Sequence, residues 1–184
     1  MSQLPQPHLD MDDRSYLRPW SADDVSVVVD AYSDPDIQRW IPYSFDETEA
    51  EQVIGRWNEA WQQETGACWA IAKRSDDSAV GRIAFQTIDF IGGSADLAYW
   101  VLPLSRGAGF APLATTVVSE WALNQLGLHR LQLFHSVRNG ASCRVAAKAD
   151  FELEVTLQSE SLYLDGWHDT HLHTRLRNRP LPIR

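Results

Sequence analysis

Length, composition and charge limit what this protein can be. The sequence has 184 residues, 44% of them hydrophobic and 22% charged, which is enough for one domain with its own core and leaves little for a second. Acidic residues outnumber basic ones by 25 to 16. Because phosphate binding depends on a surplus of Lys and Arg, this balance argues against nucleic acid as a partner.

Cysteine usage and the absence of long apolar runs indicate the compartment. The two cysteines form no Cys-x-x-Cys pair, which favours a reducing environment. Residues 1–13 are polar and include two prolines, so they predict a flexible N-terminal tail and no secretion signal. No run of about 18 apolar residues occurs, so we expect a cytoplasmic protein without a membrane partner.

The first half of the chain predicts a strand, two helices and three further strands. Ser21 with Asp24, and Asp46 with Glu49, have the spacing of reciprocal helix caps. Apolar residues recur at helical spacing after each pair, and β-rich segments separated by turn residues follow. The predicted elements are a strand at 16–20, helices after 21 and over 47–63, and strands at 68–73, 80–90 and 96–102.

The second half predicts a helix, a strand, a second helix and a closing hairpin. Pro112 in a first turn and Gly127 just past an end mark the first helix, and Asp165-Gly166 is a hairpin turn signal. The elements cover 110–126, 130–137, 139–151, 152–164 and 168–176. The fold class is therefore α+β over residues 14–177, with a mixed, mostly antiparallel sheet of about seven strands, about four helices, and a C-terminal tail at 178–184.

The strongest chemical signal is the segment Ser105–Ala111, which connects a predicted strand to a predicted helix. Gly107 and Gly109 bracket Ala108, and glycine permits positive φ and close approach of a ligand. Amides at the start of the following helix attract anions, and Arg106 adds a positive charge. The segment predicts a phosphate-binding loop, although spacing alone fits a plain tight turn equally well.

This loop, Arg106-Gly107-Ala108-Gly109-Phe110-Ala111, resembles the acyl-CoA loop of the GNAT N-acetyltransferase superfamily. Three more stretches resemble its ribosomal-protein alanine acetyltransferase (RimJ/RimL-like) branch. They are Ala95 to Val101, Leu126 to Ser142, and Asp165 to Asp169. The resemblance covers about residues 14–177. One departure is Ala149-Asp150-Phe151 in place of Ala-Gly-Phe, where aspartate in a left-handed cap costs about 1 kcal/mol.

The resemblance implies a GNAT fold with a central splayed parallel strand pair and acetyl-CoA as co-substrate. The pantetheine arm would lie between strands 96–102 and 130–137, paired with backbone groups of Trp100, Val101 and Leu102. The pyrophosphate would lie on Arg106, Gly107, Ala108, Gly109, Phe110 and Ala111. Asn139 and Arg144 are further cofactor-binding candidates, although a cap and a solvated side chain are the alternatives.

Two residues are candidates for proton transfer during direct attack of an amine on a thioester. Asp96 matches the family's carboxylate and would act as base through a water, with Glu160 as a weaker alternative. Ser142 would protonate the leaving thiolate near a helix start, where the helix dipole favours negative charge. The structural alternatives are a solvated strand-end aspartate and a serine that caps the helix.

A metal site is not expected from the sequence. His168 and His171 are an odd number of residues apart on one strand, so a site built from His168, His171 and His173 would be split between two faces. Cys143 neighbours Ser142 on a helix, and a core position is the simplest interpretation.

The sequence therefore predicts an acyl-CoA-dependent N-acetyltransferase of the GNAT family. The acceptor would be an amine-bearing small molecule or a protein N-terminus, and a homodimer is compatible with the sequence. The alternatives are an acyltransferase that uses another acyl-CoA, such as succinyl-CoA, and a catalytically silent acyl-CoA-binding sensor or scaffold.

Overall fold

A computed structural model describes residues 4–177. Its strands are β1 (Leu9–Asp10), β2 (Ser15–Pro19), β3 (Ala67–Lys73), β4 (Ala79–Asp89), β5 (Ser94–Val101), β6 (Arg130–Ser136), β7 (Glu152–Tyr163) and β8 (Gly166–Leu176). Its helices are α1 (Val25–Ser33), α2 (Pro35–Gln38), α3 (Glu47–Gln62), α4 (Phe110–Trp121) and α5 (Gly140–Lys148). Within this range no helix has the length and apolar character that a membrane span requires.

The strands form one sheet in the order β1-β2-β3-β4-β5-β6-β8-β7. Neighbours are antiparallel except for β5 and β6, which run parallel at the centre. The prediction of a mixed α+β fold with a central parallel pair is confirmed. The sheet has one strand more than expected because the two-residue β1 pairs with β2.

The N-terminal segment corrects the prediction of a loose tail. Among its described residues, Gln6 is buried and its amide donates to the Cys68 carbonyl at 2.9 Å. The indoles of Trp61 and Trp69 donate to the carbonyls of Leu4 and Pro7, each at 2.8 Å. A buried indole N–H needs an acceptor, and this segment supplies two of them. The predicted tail at 178–184 lies outside the described residues.

Tryptophans organise the core on both faces of the sheet. On the face covered by α4 and α5, Trp69 and Trp121 pack edge to face, with ring centroids 5.4 Å apart. On the face covered by α1 and α3, Trp20 lies 5.3 Å from Trp57 and 5.8 Å from Trp100. Large flat side chains therefore fill both layers, and the second layer borders the cleft described below.

Helix ends follow the predicted chemistry, with two differences. Asp46 and Glu49 cap α3 reciprocally, with hydrogen bonds of 2.8 and 3.0 Å. Asp150, which stands where the family has glycine, has the expected left-handed conformation with a φ of 59°. However, α4 ends at Trp121 and continues as a wider π-helical turn over Ala122–Leu126. The short α2, which is not among the predicted elements, is capped by the Asp34 side chain.

Candidate active site

The sheet opens at its centre and creates a large cleft among the described residues. Parallel pairing of β5 with β6 runs from Ser94 opposite Arg130 to Leu97 opposite Leu133, and then stops. The remaining residues of both strands diverge and border a cleft of about 1100 Å³. Diverging strands leave backbone hydrogen-bonding groups without strand partners, so the opening suits an extended ligand that carries amides.

The glycine loop lies at the mouth of this cleft. Gly107 and Gly109 have φ of 79° and 86°, and a Cβ at either position would meet no atom within 4 Å. Glycine is therefore needed at these two positions because of the positive φ, and not because a side chain would clash with other atoms of the protein. α4 begins at Phe110, and Pro112 has no N–H to leave unpaired. The first-turn amides of Phe110 and Ala111 therefore form a small anion-binding surface.

Arg106 is held by carboxylates. Its guanidinium donates to Asp34 at 2.8 Å and to Asp36 at 2.7 Å, and its Nε donates to the Val101 carbonyl at 3.1 Å. These bonds tie the glycine loop to the segment around α2. A phosphate at the loop would compete with Asp34 and Asp36 for Arg106, so this arginine is partly neutralised before any anion binds.

The backbone of β5 changes one part of the sequence-based prediction. The Leu102 amide donates to the Val80 carbonyl at 2.9 Å, so it is already paired with β4. Hydrogen-bonded positions alternate along an antiparallel pair, which directs the backbone groups of Trp100 to β4 as well. Val101 and Tyr99 are the residues whose backbone groups face the opening, and Leu102 and Ala108 are absent from the cleft lining.

Asp96 lies on β5 at the edge of the cleft. It is half-buried and is directed to the same face of the sheet as Trp100. A bulge in β4 between Phe85 and Thr87 sits opposite it, as is common beside functional sites. Loss of solvent raises the pKa of the Asp96 carboxyl, which makes it a better proton acceptor. Glu160, the weaker candidate, is exposed and does not line the cleft.

Ser142 lies across the opening, in the first turn of α5. The Asn139 side chain accepts from the Ser142 amide at 3.1 Å and so caps the helix, which leaves the Ser142 hydroxyl free of the capping role. Both side chains line the cleft, as does the exposed Arg144. Ser142 and Asp96 therefore approach one cavity from opposite faces of the sheet.

Tyr99 is a candidate that the sequence analysis missed. Burial raises the pKa of its hydroxyl to about 12, and the nearby Ser142 side chain opposes that shift. The hydroxyl is buried but makes no hydrogen bond of ordinary geometry to the described residues. A protonated, unpaired hydroxyl beside Ser142 is a second possible proton donor. The alternation of side chains along β5 could have identified Tyr99 from the sequence, because it places Tyr99 on the face of the sheet opposite Asp96.

Arg82 is a second residue that the sequence did not single out. It lines the cleft, yet only 6% of its surface is exposed. Its Nε donates to the Cys68 sulfur at 3.0 Å, and its guanidinium stacks over Trp57 at 4.7 Å. No carboxylate among residues 4–177 pairs with it within ion-pair distance. A buried cation without a counter-ion favours an anionic group in the cleft.

Comparison with known proteins defines the class. The profile of the acetyltransferase (GNAT) domain matches residues 14–152. The chain therefore belongs to the GNAT acetyltransferase family of acyl-CoA-dependent N-acyltransferases.

Its relatives support the RimJ/RimL-like, ribosomal-protein branch of that family. A Bacillus subtilis (strain 168) protein named "Putative ribosomal N-acetyltransferase YdaF" is 27% identical over 104 residues. The match covers 56% of this chain and 56% of that relative, so the aligned region spans little more than half of the curated relative's length.

Two solved structures share the fold. RimL, a ribosomal L7/L12 alpha-N-protein acetyltransferase in complex with coenzyme A, matches with a TM-score of 0.84 at 18% identity, over 92% of this chain and 98% of that one. The ribosomal-protein-S5-alanine acetyltransferase from Vibrio fischeri matches with a TM-score of 0.85 at 16% identity, over 96% and 100%. At these identities the likeness establishes the GNAT architecture.

Proposed function

We propose that this protein transfers the acetyl group of acetyl-CoA to the α-amino group of a protein chain. The observation that carries the proposal is the convergence of three features on one cleft. These are the opening between β5 and β6, the anion-binding start of α4, and proton-transfer candidates on both sides. The glycine loop fits a pyrophosphate and the opening fits the amide-bearing pantetheine arm.

The chemistry needs one proton acceptor and one proton donor. The amine nitrogen attacks the thioester carbonyl carbon, a C–N bond forms, the C–S bond breaks, and the sulfur leaves as a thiolate. Asp96, acting through a water, accepts the proton that the amine loses. Ser142 donates its proton to the thiolate and is re-protonated from solvent. The neighbouring Tyr99 hydroxyl is the alternative proton donor.

The choice of an α-amine follows from the strength of this base. Freeing an α-amine, with a pKa near 8, costs about 1 kcal/mol at pH 7, whereas a lysine amine costs roughly 4–5 kcal/mol. Asp96 has a raised pKa but is still a carboxylate in a half-buried position. This base is sufficient to deprotonate an α-amine and is poorly matched to a lysine amine. RimL is named as an alpha-N-protein acetyltransferase of ribosomal L7/L12, and YdaF as a ribosomal N-acetyltransferase, which agrees with this preference.

The test is a transfer assay with matched acceptors. Acetyl-CoA is incubated with a peptide that has a free N-terminus, the same peptide with a blocked N-terminus and an internal lysine, and spermidine. Thiol release is followed, and products are identified by intact mass. We expect acetylation of the free peptide and at least about tenfold less of the other two, because their amines are harder to deprotonate. Faster transfer to spermidine or to lysine would overturn the α-amine assignment.

The same assay separates an enzyme from a silent acyl-CoA-binding protein. A sensor would bind acetyl-CoA in calorimetry and release no thiol with any amine. Turnover with the free peptide excludes that function, whereas saturable binding without turnover over a broad acceptor panel would replace the proposal with it.

Arg82 supports a second candidate, an acyl group or acceptor that carries a carboxylate. The buried guanidinium lines the cleft without an anionic partner among the described residues, and succinyl-CoA would bring one. Parallel assays with acetyl-CoA and succinyl-CoA at equal concentration distinguish the two donors. A higher kcat/KM for succinyl-CoA would favour the second candidate.

A further inference from the structure

Four potential metal ligands meet on the α5 face of the sheet, beside the cleft. β6 and β8 are antiparallel, with His135 opposite His171 and Leu133 opposite His173. Cross-strand partners share a face, so all three imidazoles are directed to α5. Cys143 on α5 completes the group, and one ligand atom from each residue lies within 4.8 Å of all the others. We name this group, His135, Cys143, His171 and His173, the His3Cys cluster.

His168 is not part of this cluster, although its position in the sequence groups it with His171 and His173. His168 lies on the other face of β8, where its Nδ1 is 2.8 Å from the Ser136 hydroxyl and its Nε2 is 2.8 Å from Asp165. His168 and His171 face opposite sides of β8, as their odd spacing predicts. The sequence pattern did not indicate His135, which lies on β6, more than thirty residues before β8, and faces the same side of the sheet as His171.

Two distances within the cluster are close to those of tetrahedral coordination. The Cys143 sulfur is 3.5 Å from His171 Nδ1 and 3.7 Å from His173 Nε2. Bonds of about 2.0–2.3 Å to a tetrahedral ion place neighbouring ligand atoms roughly 3.3–3.6 Å apart. Cys143 is therefore already near the spacing from His171 and His173 that an ion would require, and all four ligand atoms lie within 4.8 Å of one another.

The protonation of His135 prepares it as a ligand. Its Nδ1 is 2.8 Å from the Ser136 carbonyl, which can only accept, so Nδ1 carries the proton and Nε2 carries a lone pair. That Nε2 is buried and has no partner among the described residues. A histidine ligand whose second nitrogen donates to a backbone carbonyl is the arrangement that orients imidazoles around metals.

Plain packing accounts less well for these residues. The rings of His135 and His173 stack with centroids 5.1 Å apart, which apolar side chains would also achieve. Both rings are buried, however, and the Nε2 of His135 lacks a partner among residues 4–177. Buried polar atoms without partners cost stability, and an ion at the centre would use the Nε2 lone pair of His135.

We propose that the His3Cys cluster is a Zn²⁺ site. Three imidazoles and one thiolate form a borderline-soft set of four ligands that suits tetrahedral zinc. The Cys143 thiol releases its proton to solvent when the bond to the metal forms. With all four positions taken by the protein, the ion has no open position for a substrate and acts structurally. The assignment does not rest on the proposed acetyl transfer.

The site connects to the cleft through two residues. His135 lines the cleft as well as the cluster, and Cys143 directly follows Ser142 in the first turn of α5. A bound ion would fix this turn against β6 and β8 and so hold the Ser142 hydroxyl in place.

The test uses Co²⁺ as a spectroscopic probe on protein without a histidine tag, prepared metal-free with a chelator. We expect one Co²⁺ per chain, the intense visible absorption of tetrahedral cobalt, and a thiolate-to-cobalt charge-transfer band, all displaced by Zn²⁺. Cys143→Ser abolishes the charge-transfer band, and His171→Ala weakens binding by at least about tenfold. The matched control is His129→Ala, which removes one exposed histidine outside the cluster.

A second measurement on the unmodified protein guards against variants that fail to fold. Zn²⁺ should protect Cys143 from iodoacetamide, a chelator should restore labelling, and the buried Cys68 should stay unlabelled in both states. An octahedral cobalt spectrum, binding that survives Cys143→Ser at equal affinity, or labelling unchanged by Zn²⁺ would each overturn the assignment.

Discussion

The two halves of the cleft are built in different ways. The donor half, where we propose that acetyl-CoA binds, comes from one continuous stretch, the end of β5 followed by the glycine loop and the start of α4. The acceptor half, where we propose that the amine binds, is assembled from distant segments, including Trp40 after α2, Trp57 on α3, Arg82 on β4 and Tyr163 at the end of β7. The donor half depends on backbone conformation, whereas the acceptor half depends on side chains. The first is therefore fixed by local sequence and the second only by the complete fold.

The largest expected effect concerns Ser142, the proposed proton donor, which lines the cleft from α5. Ser142→Ala should lower kcat by about a hundredfold, the usual contribution of a positioned proton donor. The dissociation constant of acetyl-CoA, measured by calorimetry, should stay unchanged because the helix cap is provided by Asn139. Ser142→Ala with full kcat would exclude the donor role, and Tyr99→Phe in the same background tests whether Tyr99 substitutes for it.

The donor half can be broken through its backbone alone. Gly109→Val forces a β-branched residue into φ of 86°, at a strain of roughly 1–2 kcal/mol. The loop should shift and acetyl-CoA affinity should fall at least about tenfold. Ala108→Val, one position earlier, is the matched control, since Ala108 has no positive φ and does not line the cleft. Equal losses in both variants would argue against a conformational role for Gly109.

Asp96 on β5, the proposed base, can be probed through pH. Because burial raises the pKa of Asp96, its base form is lost as the pH falls through a value above the ordinary 3.8, so the acid limb of kcat/KM should appear there. Asp96→Asn should remove this limb and lower kcat/KM several-fold at pH 7, with recovery at pH 9, where more of the amine is already free. A profile identical to that of the unmodified enzyme would remove Asp96 from the mechanism.

Asp96 also has a stability consequence with a defined sign. A carboxyl whose folded pKa is raised favours folding below its unfolded pKa, and this contribution disappears as the pH rises through the folded value. Asp96→Asn should therefore raise Tm slightly at pH 7, measured by thermal unfolding. A lower Tm would indicate that the charged carboxylate is stabilised by contacts.

The smallest expected effect lies outside both halves. Asp150 holds φ of 59° after α5, and glycine adopts this conformation without strain. Asp150→Gly should raise the free energy of unfolding by about 1 kcal/mol without changing kcat. Asp150→Ala keeps a Cβ and serves as the control that should gain nothing.

This division also explains what the sequence predicted. Capping pairs such as Asp46 with Glu49, the glycine loop and the left-handed Asp150 are local signals, and the structure agrees with each of them. Tyr99 and Arg82 were missed because their importance depends on burial, which only packing creates. The β1 strand was missed because two residues carry no periodicity and form a strand only by pairing with β2.

The acceptors that Leu4 and Pro7 provide for two buried indoles have a practical consequence for defining this domain. The family profile begins at residue 14 and ends at residue 152, so it omits these carbonyls at one end and almost all of the closing hairpin at the other. Trimming the protein to residues 14–152 would leave the indole N–H groups of Trp61 and Trp69 without their acceptors. It would also remove β8, the strand that pairs with β6. The family profile is thus narrower than the set of residues that make these contacts, and truncation experiments should be planned from the contacts.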